Sequence, residues 1–225
     1  MTTPRRLAGL VGRWLGGTVV VTWRYLWETT PLHRTERRGD DGDRPPAVPR
    51  DVLDDHVQLD GHGPLFHRRF RVHIAGAELP APRLIDLVVR DFRRFVPSEV
   101  VDVHLFTDDD PRVGDELLVE MPGPWNGPVR IAHREPTTVR LVTLRGHLEA
   151  GQVQFQAHAE GDLLVFEIEL WARAATRLVH LLYSHLRLAK EVQLNMWVRF
   201  CLAAVTTSGG RLVRGVDITT RRLDR

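Results

Sequence analysis

The spacing of apolar residues predicts a strand, then a helix, then a run of strands. Apolar side chains alternate along residues 64–74, as on one face of a strand, and recur at helical spacing along residues 82–95. Pro82 suits the first turn of that helix, and Pro97 ends it. Five strand-like segments follow, at residues 100–107, 115–121, 128–134, 138–145 and 152–171, the last interrupted by a turn.

Two pairs of these segments form hairpins, whose register follows from matching apolar with apolar and polar with polar positions. One hairpin turns at Glu160 and Gly161, and the other turns at residues 135–137. The predicted partners are Phe155 with Phe166, Val153 with Ile168, Ala157 with Leu164 and Gln154 with Glu167 in the first hairpin, and Ile131 with Leu141 and His133 with Val139 in the second. The strands are therefore predicted to pair antiparallel.

Residues 173–207 contain neither Gly nor Pro and precede Gly209 and Gly210, which predicts one long helix with a glycine stop. Residues 211–220 then predict a short further strand. This order of elements predicts an α+β helix-grip fold, in which a curved antiparallel sheet wraps around the long C-terminal helix. The curvature leaves a hollow that is filled by side chains or by a ligand. The predicted ligand-binding residues are Trp125, Phe155, Phe166, Leu182, Met196 and Phe200.

The charge pattern and composition divide the chain into three parts. Residues 1–38 carry seven Arg against two Glu, and residues 211–225 carry five Arg against two Asp, so both ends are basic and the middle is acidic. Residues 35–50 are charged and rich in Pro and Gly, without an apolar period. We therefore predict a basic, apolar N-terminal arm at 1–34, a linker at 35–50 and a helix-grip domain at 51–225.

The N-terminal arm is neither a spanning helix nor a clear secretory signal, because Arg13 and Arg24 interrupt its apolar stretch. Its mixture of Trp, Tyr and Arg suits a peripheral membrane contact through residues 1–34, and docking on its own domain or on a partner is the alternative. Cys201 is the only cysteine and excludes an internal disulfide. We expect a cytoplasmic protein, peripheral at the membrane if the arm binds lipid, with no nucleic-acid partner.

His147 and Glu149 are the candidate catalytic residues, in a loop between Gly146 and Gly151. In one interpretation the imidazole is a general base that the carboxylate orients. In the other, the two residues hydrogen-bond the backbone of their own loop. Both interpretations stay open at this point.

Two further sequence patterns bear on metal binding and catalysis. Glu167 and Glu169 share one face of a strand, either as a solvated surface or as an acid–base or metal-binding pair. The histidines lack the helical spacing of a zinc hydrolase, and no phosphate-binding loop or nucleophile elbow is present in the sequence. We expect no metal and no cofactor.

Three stretches carry a family resemblance. Residues 143–155, Thr-Leu-Arg-Gly-His-Leu-Glu-Ala-Gly-Gln-Val-Gln-Phe, resemble the TLxGHxExGxxxF signature of uncharacterised protein family 0548. The Trp171-Ala-Arg-Ala segment and the following helix with Gln193 resemble its closing segment, and residues 122–128 resemble a subgroup feature. The similarity covers residues 64–208, and the long basic arm departs from the family pattern. This family resembles a remote branch of the START and birch-pollen-allergen superfamily, whose members mostly enclose lipids, sterols or polyketide-like molecules.

The resemblance implies the helix-grip fold and no settled activity. Our first expectation is a binding module for a small hydrophobic or amphipathic molecule in the hollow between sheet and helix. The alternatives are an enzyme of the cyclase, dehydratase or hydrolase kind with His147 as base, and a non-catalytic scaffold that binds a membrane or a protein.

Overall fold

The computed structural model describes residues 30–96, 102–105, 110–120, 126–177 and 187–224. Within them, ten strands form one sheet: β1 (Leu32–Arg38), β2 (His62–Ala75), β3 (Asp102–Leu105), β4 (Glu116–Glu120), β5 (Asn126–Glu135), β6 (Thr138–Thr143), β7 (Glu149–Glu160), β8 (Leu163–Ala174), β9 (Arg211–Leu212) and β10 (Val216–Leu223). The helices are α1 (Ala81–Arg90) and α2 (Arg187–Thr207), with 3-10 turns at Asp41–Asp43 and Phe92–Arg94.

The strands are arranged in the order β1-β10-β2-β8-β7-β6-β5-β4-β3, and β9 pairs with the end of β2. The pairs from β10 to β3 are antiparallel, whereas β1 runs parallel to β10. The sheet is therefore mixed, which corrects the prediction of a wholly antiparallel sheet. Helix α1 packs on β6 and β7, and α2 packs on β2, β8 and β9. We call the face that these helices cover the inner face. The large sheet gripping a C-terminal helix confirms the α+β helix-grip prediction.

The first predicted hairpin, β7–β8, is shifted by two residues from its expected register. Phe155 lies opposite Ile168 rather than Phe166, and Gln154 lies opposite Glu169 rather than Glu167. The cause is a two-residue turn at Gly161 and Asp162, since Gly161 supplies the positive φ, +60°, that such a turn needs. A shift of two keeps every side chain on its predicted face.

The second hairpin, β5–β6, confirms one predicted pair and corrects the other. Ile131 lies opposite Leu141, as expected. A bulge at Ala132 then displaces the register, so that His133 lies opposite Arg140 rather than Val139.

The terminal helix begins later than predicted within the described residues. Residues 173 and 174 belong to β8, Arg177 is helical, residues 178–186 lie outside the description, and α2 covers 187–207. The predicted stop is confirmed, because Gly209 adopts a positive φ of +76° and its amide bonds the Thr206 carbonyl at 3.1 Å. Helix α1 also ends before the predicted residue 95, at Arg90, where Asp91 leaves the helical conformation.

The predicted linker is packed against the sheet. Residues 35–38 belong to β1, and Val48 and Val52 form a small core with Ala132 and Val142 on the face of the sheet opposite the helices. We call this the outer face, and we call residues 39–58 the outer-face strap. Val48 and Val52, in a stretch without an alternating apolar pattern, supply the hydrophobic anchor.

The strap ends beside the Gly146–Gly151 loop. The Gln58 amide donates to the Thr143 carbonyl at 2.8 Å, and the Arg145 amide donates to the His56 carbonyl at 2.8 Å. The backbone just before His147 is therefore held from the outer face.

Candidate ligand site between the sheet and the terminal helix

The inner face carries a chain of polar side chains where β2, β7 and α2 meet. Arg68 on β2 donates from Nη1 to the Gln193 Oε1 at 2.9 Å. Gln193 on α2 donates from Nε2 to the Glu149 Oε2 at 2.8 Å. The guanidinium of Arg68 also lies 5.3 Å from the centre of the Phe66 ring. One side chain from each of three elements thus converges, and Gln193 separates the cation from the carboxylate.

The position of these residues follows from strand alternation. Arg68 lies between Phe66 and Phe70 on the inner face of β2, and Glu149 begins the inner-facing positions of β7 that continue to Val153 and Phe155. Core-facing positions are usually apolar, because a buried polar group is unfavourable unless it is hydrogen-bonded. Two ionisable residues at such positions mark this end of the inner face as chemically distinct.

Glu149 has an unusual environment for a carboxylate. Burial raises its pKa, and the positive charge of Arg68 and the hydrogen bond from Gln193 offset this rise only in part. The site can therefore hold a carboxyl group that takes up a proton more readily than an exposed one.

His147 is bonded to its own loop. Its Nδ1 lies 2.9 Å from the Glu149 amide nitrogen and 3.0 Å from the Glu149 carbonyl oxygen, so it hydrogen-bonds the Glu149 backbone in either neutral tautomer. Burial lowers the pKa of His147 to about 4. The ring packs against Gly127, where an added Cβ would lie 3.2 Å from Nε2.

These contacts favour the loop-structural interpretation of the pair. His147 Nδ1 bonds the Glu149 backbone, and the Glu149 carboxylate bonds Gln193 instead of orienting the imidazole. The Glu149 backbone, not its side chain, positions His147. A catalytic role for His147 and Glu149 stays a prediction.

The predicted hydrophobic lining is a packed aromatic cluster. Phe155, Phe166 and Phe200 are completely buried, and Phe200 stacks on Phe155 with ring centres 4.9 Å apart. The cavity next to them, between α1 and strands β4 to β7, measures about 10 Å³. That is room for roughly one water molecule. Among the described residues, this cavity leaves no room for a ligand against Phe155.

The other predicted lining residues differ in position. Met196 on α2 is partly buried at the edge of the core, while Trp125 and Leu182 lie outside the described residues. Trp197, one turn after Gln193, is 8% exposed, and its indole N–H has no hydrogen-bond acceptor among the described residues. Buried indole N–H groups usually have a partner, so Trp197 is an unused donor in the packed interior.

Glu169 lies in a charge network beneath the strap rather than on a solvated face. His67 donates to it at 2.7 Å and also faces Asp43 of the strap at 2.9 Å, while Arg69 donates to it at 2.7 Å. Burial alone would raise the pKa values of Glu169 and Asp43, but hydrogen bonds lower both. Glu169 accepts from His67 and Arg69. Asp43 accepts from the Asp40 backbone and from the His67 and Arg221 side chains. The solvated-surface interpretation is therefore corrected.

Glu167 is similarly enclosed, with 1% of its surface exposed. Arg71 donates to it at 2.8 Å and Gln156 at 2.6 Å. The expected glutamine neighbours of the two glutamates move with the register, since Gln156 faces Glu167 and Gln154 faces Glu169. Both carboxylates are paired with cations, which leaves them a structural role.

The described part of the chain contains neither a metal-binding cluster nor a membrane-spanning helix. No group of three or more His, Cys, Asp and Glu side chains there is arranged to hold a metal ion. No helix there is both long and apolar enough to span a bilayer. Cys201 is fully buried, and burial raises the pKa of its thiol, as expected for a core residue.

Sequence reasoning missed Arg68 as a site residue. The available indication was a cation among the inner-facing Phe66, Phe70 and Val72 of a predicted strand. Its partners were not missed entirely, because Glu149 and Gln193 both lie in segments that carry the family resemblance. What the sequence does not contain is the contact between them, which depends on how α2 crosses the sheet.

Comparisons with known proteins add little beyond this topology. The sequence matches no protein-family model and no curated protein, so the resemblance to family 0548 stays a prediction. Similar solved structures include the di-domain ARO/CYC StfQ from the steffimycin biosynthetic pathway, with a TM-score of 0.49, 10% identity and coverage of 65% of this chain and 51% of that one.

Two further similar structures are a START superfamily protein from Mycobacterium smegmatis and the major latex-like protein 151 from Panax ginseng. The first has a TM-score of 0.45 and 12% identity over 65% of this chain and 98% of that one. The second has a TM-score of 0.42 and 9% identity over 63% and 97%. Because all three scores lie below 0.5, the helix-grip description rests on the chain's own element order and sheet topology.

Proposed function

We propose that this chain binds a small amphipathic molecule at the Arg68–Gln193–Glu149 end of the inner face. The observation that carries the proposal is the hydrogen-bonded chain through Gln193, which keeps a cation and a carboxyl group apart on core-facing positions. A ligand with a polar group can replace the Gln193 amide between them. Its apolar part then lies toward the edge of the packed core.

The site requires only a local rearrangement to accept such a molecule. Met196 is partly buried and unbranched, so its side chain can change rotamer without moving the backbone. The aromatic cluster of Phe155, Phe166 and Phe200 forms the floor beyond it and stays packed. This moves the expected binding position from the aromatic rings to the polar end.

The raised pKa of Glu149 also supports a binding role. A carboxyl group whose pKa is raised on folding destabilises the protein above its unfolded pKa, near 4.5, because the folded state binds the proton more tightly. A Glu149→Gln variant keeps an acceptor for Gln193 and removes this penalty. A residue that weakens the fold at neutral pH is expected where it serves a ligand.

The test is thermal unfolding with a panel of long-chain fatty acids and flat polycyclic phenols. Ligand binding raises the melting temperature by mass action. We expect a rise for the wild type, which Arg68→Met and Glu149→Gln reduce or abolish. At pH 7, Glu149→Gln should melt higher than the wild type without ligand, and this advantage should vanish below about pH 4.

Arg69→Met is the matched control, because Arg69 is the next residue of β2 and points to the outer face, where it bonds Glu169. That variant should lose stability and keep the ligand-induced rise. A flat response of the wild type to the whole panel would refute the proposal, as would an equal loss of response in the Arg69 variant.

A further inference from the structure

Two buried arginines on the outer face have opposite surroundings. Arg130 on β5 is 9% exposed and donates to the Asp54 carboxylate at 2.8 Å and to the Glu116 carboxylate at 2.5 Å. Arg140 on β6 is 8% exposed and donates from Nη2 to the Ala47 carbonyl at 3.4 Å. Its Nε–H has no acceptor, and no ion pair joins it to a carboxylate of the described residues.

Two other unsatisfied polar atoms lie on the same face of the neighbouring strands. Gln152 on β7 faces Trp171 on β8 in the register, and the Gln152 Oε1 and the Trp171 Nε1–H are both buried without partners in the part of the chain that the structure describes. Gln152 donates through Nε2 to the Pro46 carbonyl at 2.9 Å. Because Gln152 and Arg140 bond consecutive strap carbonyls, their polar ends lie together beneath the strap.

Trp171 belongs to the same covered region. Its indole stacks on the His67 ring, with centres 5.1 Å apart and planes inclined by 8°, and His67 in turn bonds Asp43 of the strap. The strap between residues 43 and 47 therefore contacts Arg140 and Gln152 directly and Trp171 through His67, and these three side chains carry the unsatisfied atoms.

An unpaired cation in such a position is unfavourable, and a buried guanidinium is a preferred partner for an oxyanion. We propose that the outer-face strap covers a binding site for a small inorganic oxyanion that carries a hydroxyl group, namely hydrogen phosphate. Its charged oxygens accept hydrogen bonds from Arg140 Nε and Trp171 Nε1, and its hydroxyl donates to Gln152 Oε1. Chloride, which only accepts, satisfies two of the three groups.

Occupation of this site ties the strap to the sheet. The same strap ends at residues 56–58, which bond the backbone of residues 143–145 ahead of the His147 loop. The anion site lies on the opposite face of the sheet from the Arg68–Gln193–Glu149 site and does not depend on it.

The experiment measures the melting temperature in potassium phosphate, chloride and sulfate, with pH held at neutrality and ionic strength held constant with gluconate. We expect phosphate to raise the melting temperature of the wild type by about 3 °C at ten times its dissociation constant, and chloride and sulfate to raise it less. Arg140→Met and Arg140→Gln should lose the phosphate-specific rise.

Arg130→Met is the matched control for general salt effects. It removes a buried arginine from the adjacent strand, and its two carboxylate partners are partly exposed, at 43% and 42% of their side-chain surface, so they can hydrate. We expect this variant to melt lower and to keep the phosphate rise.

The outcomes separate an anion from trapped water. Two results would overturn the proposal: an equal response to phosphate in the wild type and both Arg140 variants, or no response in the wild type. Either result would leave an ordered water as the partner of the three groups. If neither Arg140 variant folds, amide hydrogen exchange of wild-type residues 43–58 decides. Slower exchange in phosphate than in gluconate supports the site, and equal exchange refutes it.

Discussion

At the scale of single residues, His147 shows how a loop uses an imidazole as a structural hydrogen-bonding group. Its Nδ1 bonds the Glu149 backbone, and burial lowers the pKa of His147 to about 4 from an ordinary value of 6.5. The folded state therefore resists protonation that the unfolded state accepts. The stability contributed by a neutral His147 is present above pH 6.5 and is lost as pH falls toward 4.

We predict that His147→Ala destabilises the protein by about 1–3 kcal/mol at pH 7, because the Glu149 backbone loses its hydrogen-bond partner. The free energies of unfolding of wild type and variant, from urea titrations, should converge as pH falls from 6.5 to 4. A constant gap across that range would contradict the assigned protonation state.

The residues of the candidate site were predictable to different degrees. The glycines around His147 and Glu149 indicate a constrained loop, and the sequence left the structural interpretation open. Arg68 and Gln193 are 125 positions apart and meet only because α2 crosses β2. The sequence does not reveal that the polar face of β7 and β8 is covered, because the strap that covers it has little apolar character.

At the scale of secondary structure, Gly151 permits the close approach of β7 to β8. Its φ is +155°, and a Cβ there would overlap the Trp171 carbonyl oxygen. Gly151 lies between Glu149 and the inner-facing Val153 on β7. The close contact that it allows keeps this end of β7 paired with β8. The requirement is steric as well as conformational.

We predict that Gly151→Ala destabilises the protein by about 4 kcal/mol or more, because both backbones must move to remove the overlap. Gly161→Ala is the control, since Gly161 has a φ of +60° with no atom near the position of an added Cβ. That variant should lose only about 1 kcal/mol from backbone strain. Chemical denaturation measures both, and similar losses would show that the β7–β8 contact is not tight.

The elements themselves were predictable where their pattern is local. The meander and the glycine stop follow from alternation and from Gly209, whereas the β7–β8 register depended on a turn one residue later than expected. Strand β1 had no such indication. Residues 33–38 are exposed, so they show no apolar alternation, and their partner strand begins at Val216.

At the scale of the whole molecule, β1 joins the N-terminal arm to the domain. Only Leu32 of this strand contacts the core, and the Pro31 carbonyl accepts the Val216 amide at 3.0 Å. The described fold therefore begins at about residue 31, inside the predicted arm of residues 1–34. Residues 1–29 lie outside the described structure, and their membrane contact stays a prediction.

Two deletions separate the arm from the fold. Removing residues 1–29 keeps β1 and its pairing with β10, so we expect an unchanged melting temperature and loss of co-sedimentation with vesicles that contain anionic lipid. Removing residues 1–38 also exposes the β10 edge, so we expect a lower melting temperature and concentration-dependent association, since unpaired edges pair with other chains. Vesicles of neutral lipid control for charge. A lower melting temperature already in the shorter deletion would show instead that the arm docks on its own domain, because only a docked segment contributes to the stability of the fold.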